Sequence, residues 1–301
     1  MIDLHLHSTN SDGSDTPEQL VRRGRRLGLR AIALTDHDNM GGVPEFLEAC
    51  RACGLTGLAG VEISAAVGDG HGTMHILGYG VDPHHPLVQE SLERVLEGRA
   101  WRNEQILAKL NERGLELEWA EVQACAGEDV VGRPHFAQAL IDRGHLSSVA
   151  EAFDRYLAKG RPAYVDRYRL YPEEGIRMIR EAGGVAVLAH PFSWENSEPR
   201  LEAGLRTLKE QGLAGIEAVY SEYTPEQTLT LLRMAKRMGL LTTGGSDYHG
   251  APKPDVAMGT GTGRLCVPDE YLPPLLDALG RDNPWVALSE REARARLSRP
   301  G

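Results

Sequence analysis

The chain has 301 residues, a formal net charge of −10 and 41% hydrophobic residues, which allows one large α/β barrel or two ordinary domains with a full core. The acidic balance excludes a surface built as a whole to attract nucleic acid, but leaves room for a local basic groove or a small anion held through metal ions. Four cysteines, with Cys50 and Cys53 as a lone C-x-x-C inside a helical stretch, argue against a secreted disulfide framework and against a zinc knuckle.

The first segment, "IDLHLHSTNSDG", reads as a strand carrying His5 and His7, with Asp12 in the loop after it. Residues two apart on a strand share a face, so the two imidazoles project together. "TPEQLVRRGRRLG" then reads as a helix, with Thr16 as N-cap, Pro17 at the first helical position and Gln19 completing a capping box. "RAIALTDHD" is a second strand that ends in Asp36, His37 and Asp38, and "VPEFLEACRACG" is a second helix closed by Gly54. "TGLAGVEIS" is a strand ending at Glu62, and "TMHILGYGV" is another carrying His75. After the middle of the chain come "GGVAVLAHP" with His190, "GIEAVYS", and "LLTTGGSDYHG" with Asp247 and His249, separated by helical stretches. Repeated strand–helix units predict a parallel sheet under covering helices, and continuous apolar strands such as "VAVLA" fit burial on both faces. Between about Pro83 and Pro172 the pattern turns helical and polar, which divides the chain into a barrel of residues 1–82 and 173–301 and a helical insertion of residues 83–172. The arginines on and after the first helix read as a solvated face.

Six of the eleven histidines fall at predicted strand ends, several beside a carboxylate. In α/β barrels the C-terminal ends of the strands form the active face. Buried imidazoles each bring donors and acceptors that need partners, so six structural ones make a poor core. Imidazole nitrogen and carboxylate oxygen without thiolate suit Mn²⁺, Fe²⁺, Zn²⁺ or Mg²⁺, and Mn²⁺ is the first expectation. His5, His7, Asp12, His37, Glu62, His75, His190, Asp247 and His249 are too many ligands for one ion, but enough for two or three. Such centres activate water and clamp phosphoryl oxygens. The chain has neither a nucleophile elbow nor a Walker loop, which leaves metal-activated hydroxide as the expected nucleophile.

The motifs "HLHSTNSDG", "LTDHD", "GVEIS", "AHP" and "GGSDYHG", in this order, closely resemble the polymerase and histidinol phosphatase (PHP) superfamily. The resemblance implies a distorted (βα)₇ TIM-like barrel with a trinuclear metal centre. Carried over by position, it implies that His5, His7, Glu62 and Asp247 hold one ion. Glu62 would bridge to a second ion completed by His75 and His190, and Asp12, His37 and His249 would hold the third. Some members have histidine where this chain has Asp12, which keeps a ligand but adds negative charge. Glu62, Asp247 and His190 are the expected catalytic residues, and Asp36 and Asp38 are expected to orient the ligand between them.

"GRPHFAQALIDRG" and "FDRYLAKGRPAYV" in the insertion resemble the TrpH-like branch of that superfamily. This resemblance implies a metal-dependent phosphoesterase that removes the 3′-phosphate of nucleoside 3′,5′-bisphosphates. The alternative within the branch is a 5′-to-3′ exoribonuclease acting on short 5′-phosphorylated RNA. Histidinol-phosphate phosphatase and a non-catalytic binding module are the remaining alternatives. Arg133, His135, Lys159 and Arg161 in the insertion, and Ser8 in the first motif, are the candidate substrate contacts, because guanidinium grips phosphate through paired hydrogen bonds. The expected partner is a small nucleotide or short oligonucleotide. No stable protein partner is expected. The N-terminus reaches Asp3 and His5 at once, without a signal-peptide pattern, and no apolar run approaches the ~18 residues of a membrane span, so a cytoplasmic location is expected.

Overall fold

The computed structural model describes residues 1–68, 72–126 and 131–297, and divides into two compact units, Met1–Ser91 with Leu170–Gly301, and Leu92–Arg169. The first boundary falls inside a helix, at Ser91, later than the Pro83 at which the sequence pattern changes.

The larger unit is the α/β barrel. Its elements in chain order begin with β1 (Asp3–Leu6), α1 (Pro17–Arg26), β2 (Ala31–Leu34), α2 (Val43–Cys53), β3 (Thr56–Ala65) and β4 (Met74–Tyr79). The long α3 (Pro86–Asn111) follows and runs on into the smaller unit, where α4 (Trp119–Ala126), α5 (Arg133–Asp142) and α6 (Val149–Ala152) complete the helices. The barrel resumes with α7 (Pro172–Glu181), β5 (Val185–Leu188), α8 (Glu198–Glu210), β6 (Gly215–Tyr220), α9 (Pro225–Met238) and β7 (Leu241–Gly245). It ends with α10 (Leu272–Ala278), β8 (Val286–Ala287) and α11 (Glu290–Leu297).

Local chemistry accounts for the helix ends. The predicted capping box on α1 is formed: Thr16 Oγ1 accepts from the Gln19 amide, and Gln19 Oε1 accepts from the Thr16 amide. Gly54, at φ 63°, supplies the left-handed residue that ends α2. All four residues of β1, β2 and β5 are buried.

The strands pair in the order β1 to β7, with β8 added antiparallel to β3. Hydrogen bonds from the His7 amide to the Tyr248 carbonyl and from the Asp247 amide to the His5 carbonyl join the first strand's end to the last, which closes the ring. The sheet is not all parallel, as the repeated strand–helix rhythm had suggested. β4 runs antiparallel to both neighbours, because a short hairpin rather than a crossover helix links it to β3. This reversal has a functional consequence. The first residues of β4 lie opposite the last residues of β3, with His75 facing Ser64, so a histidine near the start of its strand still reaches the mouth formed by the C-terminal ends of the others.

One apolar cluster ties the barrel together. It gathers Leu4, Ala33, Leu58, Leu77 and Val187 from the first five strands with Leu272, Leu275 and Leu276 of α10. The helical unit has its own core, in which Ile106 and Leu110 of α3 pack with Phe136 and Leu140 of α5 and with Leu157. No helix among the described residues is long and apolar enough to cross a membrane.

Closure of the ring leaves no room at Gly245, where an added Cβ would meet His5 Cβ at 2.3 Å and the His5 backbone nitrogen at 2.6 Å. Overpacking of this kind costs ~1–3 kcal/mol, and here it would force β1 away from β7. Gly245→Ala is expected to lower the thermal midpoint by several degrees and to reduce metal content measured by mass spectrometry. An unchanged midpoint and unchanged metal content would contradict this closure.

Candidate metal centre

The nine residues expected as ligands converge at the mouth of the barrel. Glu62 is their hub. It lies within β3 rather than beyond its end, is 1% exposed, and spreads its two carboxylate oxygens over five imidazoles. Oε2 lies 3.1 Å from His5 Nε2, His7 Nε2 and His37 Nδ1. Oε1 lies 2.8 Å from His75 Nδ1 and 3.1 Å from His190 Nε2. Asp247 Oδ1 faces His7 Nε2 at 3.1 Å and His5 Nε2 at 3.5 Å. Asp12, half exposed in the loop after β1, sits 3.3 Å from His249 Nε2 and 3.8 Å from His37 Nε2.

Three overlapping groups have ligand atoms within 4.8 Å of one another: His5, His7, Glu62 and Asp247; His37, Glu62 and His75; and His7, Asp12, His37 and His249. His7 and His37 each occur twice. A neutral imidazole has one lone pair, so each can serve only one ion. Assigning His7 to the Glu62–Asp247 group and His37 to the Asp12 group leaves His75 and His190 on the other oxygen of Glu62.

Buried polar atoms test whether metal fits. Among the described residues, His5 Nε2, His7 Nε2, Asp12 Oδ1, His37 Nδ1, Glu62 Oε2 and His190 Nδ1 are buried without a hydrogen bond. Such atoms are costly unless something satisfies them. Five of the six point toward a neighbouring ligand residue at ion-pair distance, as atoms would that share a cation. The donor set of imidazole and carboxylate suits a hard to borderline divalent ion.

The electrostatics reinforce this reading. Burial alone would strip the charge from His5, but Glu217, Glu62 and Asp247 outweigh it and hold the imidazole well above its usual range. Burial likewise disfavours protonated His7, yet the carboxylates of Asp247 and Glu62 beside its Nε2 lift it to about 9. His37 goes the other way: burial, unbalanced by the acids around it, pulls it down to about 3. Burial would raise Glu62 and Asp247, but the surrounding imidazoles keep both carboxylates well below their usual range. The acids thus favour positive charge at His5 and His7 against the effect of burial.

Several residues that position the ligands were not visible as such in the sequence. Glu217 lies in β6 and is fully buried. Its Oε1 is 3.0 Å from His5 Nδ1, and its Oε2 accepts the His190 amide at 2.9 Å. A carboxylate on the far nitrogen of a ligand histidine fixes its tautomer and orientation. The available signal was a lone acid in the apolar run "GIEAVY", the same pattern that marks Glu62 in "GVEIS". Asp3 is also fully buried and accepts from Ser246 N, Ser246 Oγ and Gly259 N, which anchors the turn that carries Asp247. Burial raises its carboxyl to about 6 in spite of these hydrogen bonds. Asp247 Oδ2 accepts from Tyr220 Oη at 2.9 Å and Lys253 Nζ at 2.8 Å, leaving Oδ1 to the cluster.

The remaining sequence candidates divide. Asp36 does not reach the His37 ring. It accepts from Ser8 N, Ser8 Oγ and Ser11 Oγ, and so holds the loop that presents Asp12. Asp38 accepts from the Ser64 amide instead. Ser8 is fully buried with its hydroxyl committed to Asp36, which makes it part of the frame rather than a phosphate contact. His135 Nδ1 accepts the Gly132 amide and caps α5. Arg161 is half exposed and paired with Asp154, and Lys159 is exposed. Arg133 donates through Nη1 to the Leu157 carbonyl and lies over the rings of Phe153 and Tyr164.

Fold and site together define an α/β barrel whose mouth gathers three overlapping sets of side chains able to hold metal ions. Comparison with known proteins gives the family. The PHP domain model matches residues 3–159. A 3′,5′-nucleoside bisphosphate phosphatase of Chromobacterium violaceum is 33% identical over 305 residues, spanning 99% of this chain and 98% of that protein. The 5′-3′ exoribonuclease Rnm of Escherichia coli is 34% identical over 261 residues, 86% of this chain and 88% of that one. The solved structure of an amidohydrolase from Chromobacterium violaceum aligns with a TM-score of 0.74 at 31% identity, covering 98% and 96% of the two chains. The chain belongs to the PHP domain family.

Ligand imidazoles must be neutral, so metal and protons compete for His5 and His7. His7, lifted to about 9, favours its protonated form at pH 7 in the metal-free centre, and the acids around His5 shift it in the same direction, so uptake must expel protons. Calorimetric titration of the stripped protein with Mn²⁺ in buffers of different ionisation enthalpy should show net proton release at pH 7, and affinity that rises toward pH 9. Proton-neutral binding would contradict the arrangement.

Proposed function

We propose that this protein is a metal-dependent phosphoesterase that removes the 3′-phosphate of nucleoside 3′,5′-bisphosphates. The observation that carries the reading is the Glu62 carboxylate shared among five imidazoles, with Asp247, Asp12 and His249 completing ligand groups around it. The full-length similarity to a bisphosphate phosphatase supports the substrate class.

Two or three divalent ions, Mn²⁺ first, would be held by His5, His7, Glu62 and Asp247, by Glu62, His75 and His190, and by Asp12, His37 and His249. When bound, they would supply Lewis-acid stabilisation of the phosphoryl oxygens and a water of lowered pKa as nucleophile. The protein's own part is to hold these ligands fixed before substrate arrives. Glu217 orients His5 and the His190 backbone, Tyr220 and Lys253 fix one oxygen of Asp247, and Asp36 holds the loop bearing Asp12. Preorganised groups of this kind stabilise the transition state without reorganising during the reaction. A nucleotide with a second phosphate needs a second cationic contact, and Arg133, oriented by Leu157 and two aromatic rings, is the residue proposed for it.

A second reading, a 5′-to-3′ exoribonuclease, draws on the similarity to Rnm over 86% of this chain. Both reactions break a phosphoester beside a nucleotide that carries another phosphate. Phosphate release with Mn²⁺ should therefore be measured on adenosine 3′,5′-bisphosphate, AMP and histidinol phosphate, with a 5′-phosphorylated oligoribonucleotide in parallel. The phosphatase reading predicts fast release from the bisphosphate alone with intact RNA, and a loss of more than about a hundredfold in Glu62→Ala. Stepwise release of mononucleotides from the RNA would assign the exonuclease instead. Full activity of Glu62→Ala at unchanged metal content would overturn the centre.

A further inference from the structure

The loop after β7 brings a lysine to the edge of the ligand cluster. Lys253 Nζ lies 2.8 Å from Asp247 Oδ2, the oxygen that also accepts from Tyr220 Oη at 2.9 Å. Among the described residues, the carboxylates of Glu62, Asp247 and Asp12 otherwise form ion pairs only with histidines. A lysine ammonium carries its charge at neutral pH whatever the imidazoles do.

The backbone under this side chain is fixed. Pro252 and Pro254 flank Lys253, and the second of them disfavours helical backbone at the lysine. The Lys253 amide donates to the Gly250 carbonyl at 3.1 Å, and the Lys253 carbonyl accepts from the Val256 amide at 3.0 Å. One turn earlier, the Ala251 amide donates to Ser14 Oγ at 2.9 Å, which ties this loop to the one that follows β1. The flexible stem therefore starts from a held position beside the mouth.

Fixing Asp247 uses only part of what Lys253 offers. An ammonium has three N–H groups. Among the described residues Asp247 alone engages it, and the side chain is 39% exposed, so two N–H groups are free for another acceptor. Tyr220 already donates to the same carboxylate oxygen without bringing a charge. The charge has a use of its own here. Glu62, Glu217 and Asp247 are all buried at the mouth, and a phosphate group approaching them meets like charge. Asp247 turns Oδ1 to His5 and His7 and Oδ2 to Lys253, so a phosphate drawn to the ligand group arrives one carboxylate away from the ammonium.

We propose that Lys253 is a substrate contact, which keeps its hydrogen bond to Asp247 and donates its free N–H groups to oxygens of the phosphate being hydrolysed. The contact rests on the phosphoesterase reading, but not on which nucleotide is the substrate. A fixed cation at phosphoryl oxygens stabilises the charge that spreads over them during transfer.

Orthophosphate, the product, is the probe. It is titrated calorimetrically into full-length protein saturated with Mn²⁺, as wild type, Lys253→Met, Lys253→Arg and Tyr220→Phe, with the metal content of each measured by mass spectrometry. Lys253→Met should keep its Mn²⁺ and lose about tenfold or more in orthophosphate affinity, the scale of one or two charge-assisted hydrogen bonds. Lys253→Arg, which restores the charge, should recover part of that loss. Tyr220→Phe removes a donor from the same Asp247 oxygen but no charge, and should lose far less than Lys253→Met. Equal orthophosphate affinity in wild type and Lys253→Met would overturn the contact, as would no measurable orthophosphate binding in the wild type. Equal losses in Lys253→Met and Tyr220→Phe, or Mn²⁺ missing from Lys253→Met, would reduce Lys253 to a support for Asp247 and overturn it too. Lys253-dependent orthophosphate binding in a protein that hydrolyses neither the bisphosphate nor the oligoribonucleotide would uphold the phosphate contact and reject the phosphoesterase reading.

Discussion

The structure depends on one buried carboxylate. Glu62 sits 1% exposed inside a strand, and its two oxygens stand within 3.1 Å of imidazoles from five different histidines. No arrangement of protons satisfies this geometry cheaply. Protonating the imidazoles buries several positive charges together, and neutralising them strands an anion among lone pairs. Divalent cations held by these side chains would resolve both problems. The upward shift of His5 and His7 follows from the same constraint, since the acids around them outweigh burial.

Delivering side chains to that point shapes the rest of the barrel. Among the described residues, three non-glycine residues adopt positive φ: Asp38 at 50°, His190 at 26° and Asp247 at 57°. Each immediately neighbours or belongs to the ligand set, and each has its amide fixed by the site. Asp38 donates to the Glu62 carbonyl, His190 to the Glu217 carboxylate and Asp247 to the His5 carbonyl. Left-handed backbone at such residues costs roughly 1–2 kcal/mol apiece, and these hydrogen bonds offset it locally. The reversed strand β4 belongs to the same economy of reach. A parallel strand would bring His75 in at its far end, whereas the hairpin sets it at the mouth opposite Ser64.

Much of the centre was legible in the sequence because the ligands occupy strand ends, and strands have a short, rigid period. His5 and His7 two apart on β1, and Asp247 and His249 two apart after β7, announce a shared face. Glu62 and Glu217 differ instructively. Both are lone acids in apolar strands, but only Glu62 stood within a motif, so its orienting counterpart passed unnoticed. Ser8 and His135 were read as substrate contacts because sequence shows which polar atoms exist, not which are already spent. Ser8 holds Asp36, and one nitrogen of His135 caps a helix. The antiparallel strand was hidden because strand periodicity carries no direction.

The barrel thus carries the ligand groups, while the helical unit has its own apolar core. The claim on which this account turns is that Glu62 bridges metal ions. Anomalous diffraction from crystals grown with Mn²⁺ tests it most directly. The account predicts two or three peaks, with separate ions on the two oxygens of Glu62 and His5, His7, Asp247, His75 and His190 distributed between them. A single peak, or ions that do not touch Glu62, would contradict it.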